Sequence, residues 1–490
     1  MTSPVPSVWG PPPPGEEWQR LSPRMLLVHP VHEVFRQIPV IVGTLVLGTA
    51  TGNPVLAFAA LGITVAIGLA RWFTTTYRIG PSDVQLRTGV LQRKELSVPR
   101  NRIRSVSTEA RLLHRLLGLT VLRVSTGQEA RGDAAFALDG VPSEQVGPLR
   151  ALLLADSLTV EEDKPPAPGR VLARWTPSWL RYSPLSFTGL AMIAATVGVA
   201  YEVGESRLTD SQLARSWLDT AKDFGITASI AVGVAALLVA SVVLSVLQSL
   251  LTYGNLELRR DFEVLHLRYG LLRIRENTFD MRRLRGGTLR EPLLVRLFGG
   301  ARLDAVMTGV GGEGESSLLL PPCPKRTADE VLTDLIERPE AVTGELVVHG
   351  PAATRRRWTR ALAVPAVAAV ALAVAQAPVW AWALWAVVTG CCALLAHDRA
   401  RSLGHRVGDG WLVARTGSLQ RRRDCIEASG IIGWTVRQTW MQRRAGVATL
   451  IAATAAGVKH YQVIDVPTEL AWSIAAEASP WVADNAWSRR

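Results

Sequence analysis

Long apolar runs alternate with mixed stretches along the whole chain. No charged residue lies between Arg36 and Arg71, and further apolar runs extend over residues 182–201, 226–251, 362–375 and 379–395. A helix needs about 20 apolar residues to cross the hydrocarbon of a bilayer. Because Gly52-Asn53-Pro54 divides the first run, the pattern predicts six spans in three transmembrane hairpins, at 35–73, 182–251 and 359–398. The short first arms of hairpins 1 and 3 leave it open whether those arms cross fully.

A soluble stretch follows each predicted hairpin. Apolar and polar residues alternate in it, as in Val84-Gln85-Leu86-Arg87, and turn residues separate the alternating runs, which is typical of half-buried antiparallel strands. Each stretch ends in a proline followed by one amphipathic helix, at 143–154, 326–336 and 468–478. The sequence therefore predicts three small β-sandwiches or barrels closed by a C-terminal helix, over residues 74–156, 252–337 and 399–480.

The three soluble stretches share one sequence pattern. Three positions recur at fixed spacings in every copy: a glycine (Gly89, Gly270 and Gly417), then an arginine (Arg115, Arg296 and Arg443) and a second glycine (Gly118, Gly299 and Gly446). An internal repeat of this kind is the signature of a repeated structural unit. Any function therefore has to account for three copies.

The remaining residues are predicted to connect or flank these units. Residues 1–34 are interpreted as a disordered proline-rich tail with a juxtamembrane segment, because VWGPPPPGEEW offers few core-forming side chains. Residues 157–181 and 338–358 are interpreted as linkers, and 481–490 as a tail. Trp72 and Phe73 stand where interfacial aromatic residues are expected. Arginines flank the outer ends of the hairpins, whereas the tips carry none or fewer basic than acidic residues. This bias predicts a multi-pass protein of the plasma (inner) membrane, with both termini and all soluble stretches in the cytoplasm.

This arrangement resembles the bacterial PH-like membrane proteins of the YdbS/YdbT type, here with three PH-like repeats. The residues that carry the likeness lie mainly in the first copy: Trp72 to Arg78, Gly89, Val98 to Val106, Leu112 to Leu119 and Val121 to Thr126. The resemblance implies an α+β membrane protein in which each of three transmembrane helical hairpins is followed by a PH-like β-sandwich or barrel with a C-terminal helix. It implies no reaction. The third copy has Gly430 where the others carry Arg102 and Arg283.

Arginine is the most informative polar residue. The chain has 490 residues and a net charge of +12, and its basic residues are overwhelmingly arginine. Each basic charge near an anionic leaflet contributes about 1 kcal/mol. The candidate contacts to anionic headgroups or to a partner are Arg100, Arg102, Arg104, Arg115, Arg282, Arg283, Arg296 and Arg443. The alternative explanation is a positive-inside bias on an arginine-rich composition. Nucleic acid is not expected, because no reader helix or stacking signature accompanies the charge.

No catalytic, cofactor-binding or metal-binding constellation is predicted, so the chain is not expected to be an enzyme. The four cysteines have no zinc-like or disulfide-like spacing, which favours a reducing compartment. Residues 309–315 lack the end of a phosphate loop and are interpreted as a flexible hairpin loop. His397, Asp398 and His405 are interpreted as a solvated collar, and His114 as a residue on a helix face.

The predicted function is non-catalytic binding, scaffolding or sensing at the inner face of the plasma membrane. The expected partners are the lipid bilayer and anionic headgroups, together with a protein partner or a second copy of the chain. The alternative is a component of a membrane transport or efflux system. Against it, the apolar runs lack the charged residues that ion-coupled carriers need near the midplane. The ligand and the physiological trigger do not follow from the sequence.

Overall fold

The computed structural model describes residues 18–27, 72–80, 82–89, 92–100, 103, 105–125, 136–154, 169–186, 226–309 and 317–483, with single positions at 62, 66, 69, 70, 189, 191 and 194. In these residues the chain is a mixed α/β protein with several β-sheets and three long apolar helices. It divides into two compact units: residues 1–169 with 260–281 form unit 1, and residues 170–259 with 282–490 form unit 2. Most of the first predicted hairpin and most of the first arm of the second lie outside the described residues.

The secondary structure occurs as three similar segments with connecting elements. Strand β1 spans Gln19–Arg20. Segment 1 consists of β2 (Thr76–Ile79), β3 (Asp83–Thr88), β4 (Lys94–Pro99), β5 (Ser105–Ala110), helix α1 (Leu112–Leu116), β6 (Leu119–Ser125), β7 (Phe136–Pro142) and helix α2 (Ser143–Leu154). Strand β8 (Arg170–Arg174), a 3-10 helix (Pro177–Tyr182) and helix α3 (Ile226–Tyr253) follow.

Segments 2 and 3 have the same order of elements. Segment 2 consists of β9 (Glu257–Asp261), β10 (Val264–Tyr269), β11 (Ile274–Asp280), β12 (Leu284–Pro292), α4 (Leu293–Leu297), β13 (Gly300–Met307), β14 (Leu318–Pro324) and α5 (Lys325–Ile336). Helices α6 (Pro339–Thr343), α7 (Gly350–Val374) and α8 (Val379–Arg401) connect it to segment 3. Segment 3 consists of β15 (Gly404–Gly408), β16 (Trp411–Thr416), β17 (Gln420–Glu427), β18 (Ile431–Arg437), α9 (Trp440–Arg444), β19 (Val447–Thr454), β20 (His460–Pro467) and α10 (Thr468–Ala478), and α11 (Pro480–Ala483) ends it.

The repeated glycines occupy positions where the backbone requires them. Gly89 and Gly417 follow the second strand of their segments with φ of +121° and +93°. A Cβ at these positions would lie 1.8 Å from the Gln92 carbonyl oxygen and 2.2 Å from that of Gln420. The second glycine of each copy follows the short helix with φ between +66° and +73°, a left-handed conformation that costs other residues free energy. The sequence repeat therefore marks two turns that only glycine makes easily.

The sheets are not confined to single segments. In unit 1, β1-β2-β3-β4 form one sheet, and β7, β6 and β5 of segment 1 continue through β11 into β10 of segment 2. In unit 2, β14, β13 and β12 of segment 2 continue through β17 into β16 and β15 of segment 3, while β18-β19-β20 form a three-stranded sheet. We call the antiparallel β5–β11 contact junction 1 and the β12–β17 contact junction 2.

The closing helices cover the strands as the sequence predicts. Leu153 of α2 joins the core of segment 1 with Val84 and Leu122, and Ile474 of α10 joins the core of segment 3 with Leu412. In α5 the buried side chains recur at helical spacing: Ala328, Val331, Leu332, Leu335 and Ile336. Because a half-buried sheet leaves one apolar face to cover, one amphipathic helix for each segment completes its core.

Residues ahead of the apolar runs belong to the sheets and cores. Strand β1 pairs with β2, β8 is a neighbour of β9, and Val347 forms a bridge with His405 of β15. Leu21 and Trp72 are buried in the core of segment 1, and Trp72 donates its indole N–H to the Ser22 carbonyl at 3.1 Å. Trp72 is therefore a residue of the protein core, whereas Phe73 is exposed. Strand β8 and all but the last residue of the 3-10 helix lie within residues 157–181, which were predicted to be a linker.

Three described helices are long and apolar enough to cross a membrane. They are residues 234–253 of α3, with a mean hydropathy of 2.4, together with α7 and α8. Helices α7 and α8 are joined by residues 375–378 and pack against each other, with the Trp385 indole donating to the Pro365 carbonyl at 2.9 Å. Helix α7 begins at Gly350, well before the predicted start of the apolar span at 359. Its first turns are charged and precede the apolar stretch, and their residues Arg356 and Arg357 contact Asp465 of segment 3.

Candidate functional site

The short helix of each segment exposes large apolar side chains. In α1 Leu116 is 82% exposed, in α4 Leu297 is 69% exposed and in α9 Trp440 is 66% exposed. Leu112, Phe298 and Met441 beside them are exposed as well. The helix lies in the same place in each copy, between the fourth strand of the segment and the second repeated glycine. Clustered exposed apolar side chains of this size mark a contact surface.

Helix α9 is fixed to the beginning of the apolar helix α7. The fully buried Asp465 of β20 accepts a hydrogen bond from Gln442 of α9 at 2.9 Å. The same carboxylate forms ion pairs with Arg356 at 2.5 Å and with Arg357 at 2.8 Å, and both arginines are buried on α7. A capping box between Thr439 and Gln442 begins α9 and holds Gln442 in place. Because the ions are buried, removing Asp465 alone would leave two uncompensated charges.

Helix α4 is fixed to the end of the apolar helix α8. Arg296 of α4 donates to Asp398 near the end of α8 at 2.7 Å. Ser418 and Arg421 of segment 3 donate to the same carboxylate, each at 2.8 Å. On its other side α4 meets the residues before α3, because the Tyr182 hydroxyl donates to the Phe298 carbonyl at 3.4 Å. The expected solvated collar at Asp398 is therefore wrong, since this carboxylate links helix α8 to segment 2 and to segment 3.

Helix α1 has corresponding contacts in unit 1. Arg24, which precedes the first predicted span, donates to the Leu117 carbonyl at 3.1 Å. Arg115 of α1 donates to the Leu271 carbonyl at 2.9 Å. His114 is buried on the inner side of α1, 3.1 Å from Asp139, and is a core residue as well as a helix-face residue. Each short helix thus lies beside residues that precede or end an apolar run.

The eight predicted arginine contacts have different surroundings. Arg115, Arg282 and Arg443 are exposed, Arg283 is half-buried and Arg100 is buried. Arg296 is committed to Asp398, whereas Arg102 and Arg104 lie outside the described residues. The residues that sequence reasoning missed are the exposed apolar side chains of α1, α4 and α9. Their shared position relative to the repeated glycine was the signal that could have identified them.

A histidine pair connects the start of α7 to segment 3. His349 Nε2 lies 2.9 Å from His405 Nδ1, and His349 Nδ1 donates to the Ile464 carbonyl at 2.8 Å. Burial lowers the pKa of both imidazoles, that of His405 to about 4 with a further contribution from His349. The pair is therefore neutral at physiological pH. His405 is a buried residue and not part of a solvated collar. In the described part of the chain, no group of three or more His, Cys, Asp or Glu residues could hold a metal ion.

The comparison with known families identifies one domain type. Residues 34–157 and 360–479 match the Bacterial PH domain family. No curated protein and no solved structure matches the chain. The matched regions contain segments 1 and 3, each with the apolar run ahead of it, which is consistent with PH-like repeats. PH-like domains are generally non-enzymatic, so two regions of this chain are similar to a domain type with a binding or scaffolding role.

Proposed function

We propose that the chain is an integral protein of the bacterial plasma membrane, of the YdbS/YdbT type, with three cytoplasmic PH-like modules. In this proposal the modules bind the inner leaflet through α1, α4 and α9, and they scaffold contacts at that surface without catalysis. The observation that supports it most strongly is the combination of exposed apolar side chains with bonds to the ends of apolar helices.

In this proposal the apolar helices set the depth of these side chains in the bilayer. If α7 and α8 cross the bilayer, their polar ends lie at the headgroup level. Asp398 lies near the end of α8 and binds Arg296, so in this proposal the neighbouring Leu297 and Phe298 lie at that level too. Arg356 lies in the first turns of α7 and is linked to α9 through Asp465. Exposed apolar side chains that cost free energy in water become favourable when they enter the acyl boundary.

The charge near α9 suits an anionic surface. Arg443 and Arg444 are exposed in its last turn, and the Arg444 guanidinium lies 4.9 Å from the centre of the Trp440 ring. Tryptophan with a neighbouring arginine is typical of the membrane interface, where the ring enters the lipid and the cation stays with the headgroups. In this proposal Arg115, Arg282 and Arg443 contact headgroups, whereas Arg296 and Arg100 hold the fold.

The test measures the depth of single labelled positions in the full chain. Cys391 and Cys392 are replaced by alanine, and Cys323 and Cys425 remain because both are buried and burial raises their pKa to about 12, which makes them unreactive. A fluorophore is attached at Phe298→Cys or Met441→Cys in bilayers that contain brominated acyl chains. Quenching at both positions is the expected result.

Ile432 supplies a matched control in the same unit. It is 70% exposed and apolar, but it lies on β18 and not on a short helix. A label at Ile432→Cys should stay unquenched. Equal quenching at all three positions, or at none, would contradict the proposal. Quenching at position 441 that weakens in neutral lipid, or when Arg443→Glu and Arg444→Glu are combined, would identify the headgroup contribution.

A further inference from the structure

The two junctions between segments have the same register. In junction 1 Glu109 pairs with Arg275, and in junction 2 Arg290 pairs with Arg422. Glu109 and Arg290 lie at the same distance along the chain from the first repeated glycine of their own segments. Arg275 and Arg422 likewise lie at one common distance from theirs. The neighbouring pairs agree as well: Val106 with Thr278 and Gly287 with Cys425. The fourth strand of one segment therefore meets the third strand of the next segment in one fixed alignment.

Among the described residues, one third strand and one fourth strand lack such a partner strand from another segment. β4 is the third strand of segment 1 and pairs with β3 alone, at the edge of its sheet. β18 is the fourth strand of segment 3 and pairs with β19 alone, at the edge of its sheet. A strand at a sheet edge presents unpaired backbone N–H and C=O groups that can accept a further strand. The two edges are of the complementary kinds that both junctions combine.

We propose that β18 of one molecule pairs with β4 of a second copy of this chain, in the register of the two internal junctions. That register places Trp434 opposite Ser97, Thr435 opposite Leu96 and Arg437 opposite Lys94. Because the two edges differ, the contact is head-to-tail and leaves a free edge at each end, so it produces a ring or a chain of molecules. The proposal adds a partner and an interface to the proposed function and does not depend on lipid binding.

The composition of the two edges makes this contact weaker than the internal junctions. In junction 1 the buried Glu109 accepts a hydrogen bond at 2.6 Å from Arg273 of the next segment. In junction 2 the facing arginines Arg290 and Arg422 are neutralised by Asp304 and Asp424. At the proposed contact Arg437 faces Lys94, both exposed. Like charges directly opposite each other weaken strand pairing, so association should strengthen with added salt.

The first experiment reverses one charge at a time in the full chain, in neutral detergent, and measures association by light scattering across a concentration series. Lys94→Glu places a carboxylate opposite Arg437, and Arg437→Glu reproduces the polarity of the Glu109–Arg275 pair. Each single variant should lower the dissociation constant about fivefold, because an opposite-charge cross-strand pair replaces a repulsive one. The double variant restores like charges and should return to weak association.

The second experiment identifies the two strands by disulfide formation. Chains with Lys94→Cys and differently tagged chains with Arg437→Cys, both lacking Cys391 and Cys392, are mixed and oxidised. Cross-linked dimers that carry both tags are expected, since opposite residues on paired strands bring their Cβ atoms within about 5.5 Å. Glu95→Cys is the matched control, because its side chain leaves the strand on the other face and should cross-link far less.

Three outcomes would overturn the proposal. The chain could remain monomeric in every variant and at every salt concentration. The charge variants could change association in directions that do not follow the pairing of positions 94 and 437. Finally, a chain that carries both cysteines could cross-link only within itself while the mixed chains give no dimers, which would make the two edges partners inside one molecule. None of these results bears on quenching at Phe298 or Met441, so the lipid contact stands or fails separately.

Discussion

The two internal junctions share a register but not their side-chain chemistry. In junction 1 the buried Glu109 is surrounded by Arg111, Arg123 and Arg273. In junction 2 the links across the junction include the hydrogen bond from Thr288 to the buried Asp424 at 2.7 Å and the ion pair between Arg285 and Glu427 at 2.6 Å. The two junctions thus have the same backbone alignment, whereas their polar side-chain contacts differ. The register therefore does not depend on one pair of side chains that both junctions share. The following variants measure how much the polar contacts of each junction contribute to stability.

The largest effect is expected for Glu109→Ala. The change leaves three arginines beside a buried position without their carboxylate, which typically costs several kcal/mol; because the arginine side chains are partly exposed, about 2–4 kcal/mol is expected. Hydrogen exchange of β5 and β11 in the full chain measures the local loss. Glu276→Gln is the control in the same junction, because the ion pair of Glu276 with Arg268 is partly exposed to solvent and should contribute less than about 1 kcal/mol. Equal effects of the two changes would contradict this account.

The pH dependence of the two junctions should also differ. Burial opposes ionisation of Glu109, but hydrogen bonds from Arg273 and Arg111 and the charge of Arg123 prevail and lower its pKa to about 2. A lowered pKa in the folded state stabilises the protein above the unfolded pKa of about 4.5. This contribution, on the order of 3 kcal/mol, is lost as the pH falls toward 2.

In junction 2 the pKa values of two carboxyl groups, those of Asp424 and Glu427, are shifted in opposite directions. Burial raises the pKa of Asp424, so its contribution is fully present below the unfolded pKa and is lost as the pH rises. Burial also opposes ionisation of Glu427, but hydrogen bonds from Ser429 and Arg285 prevail and lower its pKa. Exchange protection, corrected for the intrinsic rate, should therefore fall on acidification in β5 and β11 more than in β12 and β17. Glu109→Gln should flatten the response of junction 1. An unchanged response in that variant would show that other groups govern it.

A smaller effect is expected for Thr288→Val. The substitution keeps the shape but removes the hydroxyl that donates to Asp424, so a buried carboxylate loses one of its hydrogen bonds. A loss of about 1–2 kcal/mol should appear in the exchange protection of β12 and β17. Thr288→Ser retains the donor and should lose less than the valine variant. The reverse order would mean that packing, rather than the hydrogen bond, explains the effect.

The smallest effect is expected for the pair formed by Arg285 and Glu427. Both side chains are about one-third exposed, and such surface ion pairs contribute about 0–1 kcal/mol. A double-mutant cycle with Arg285→Gln and Glu427→Gln measures the coupling energy directly, by exchange protection at low and high salt. A coupling above about 2 kcal/mol would show that this pair, and not the backbone alignment, holds junction 2 together.

Local structure followed closely from the sequence. The alternating runs predict the strands, the amphipathic stretches predict α2, α5 and α10, and the glycines at Gly89 and Gly417 mark turns that a Cβ would block. These features depend on residues close together in the chain, where periodicity and backbone sterics act directly. Three long apolar helices were predicted in the described part of the chain for the same reason.

The candidate site was only partly predictable. Sequence reasoning selected Arg296 for its charge, but its partner Asp398 lies on a helix far along the chain. It did not single out the short helices, on which Leu116, Leu297 and Trp440 are exposed. Whether an arginine faces lipid or a carboxylate depends on which distant residues the fold brings to it. Single-residue chemistry does not contain that information.

The sequence by itself determined where strands, closing helices, tight turns and apolar helices form, because these follow from the period of apolar residues and from the backbone freedom of glycine. Only the tertiary structure decided that β5 pairs with β11 and β12 with β17, and that β4 and β18 lie at sheet edges. Strand partners are chosen through backbone N–H and C=O groups, which every residue except proline presents alike. The identity of the side chains therefore could not reveal which strands meet, and the fold had to show it.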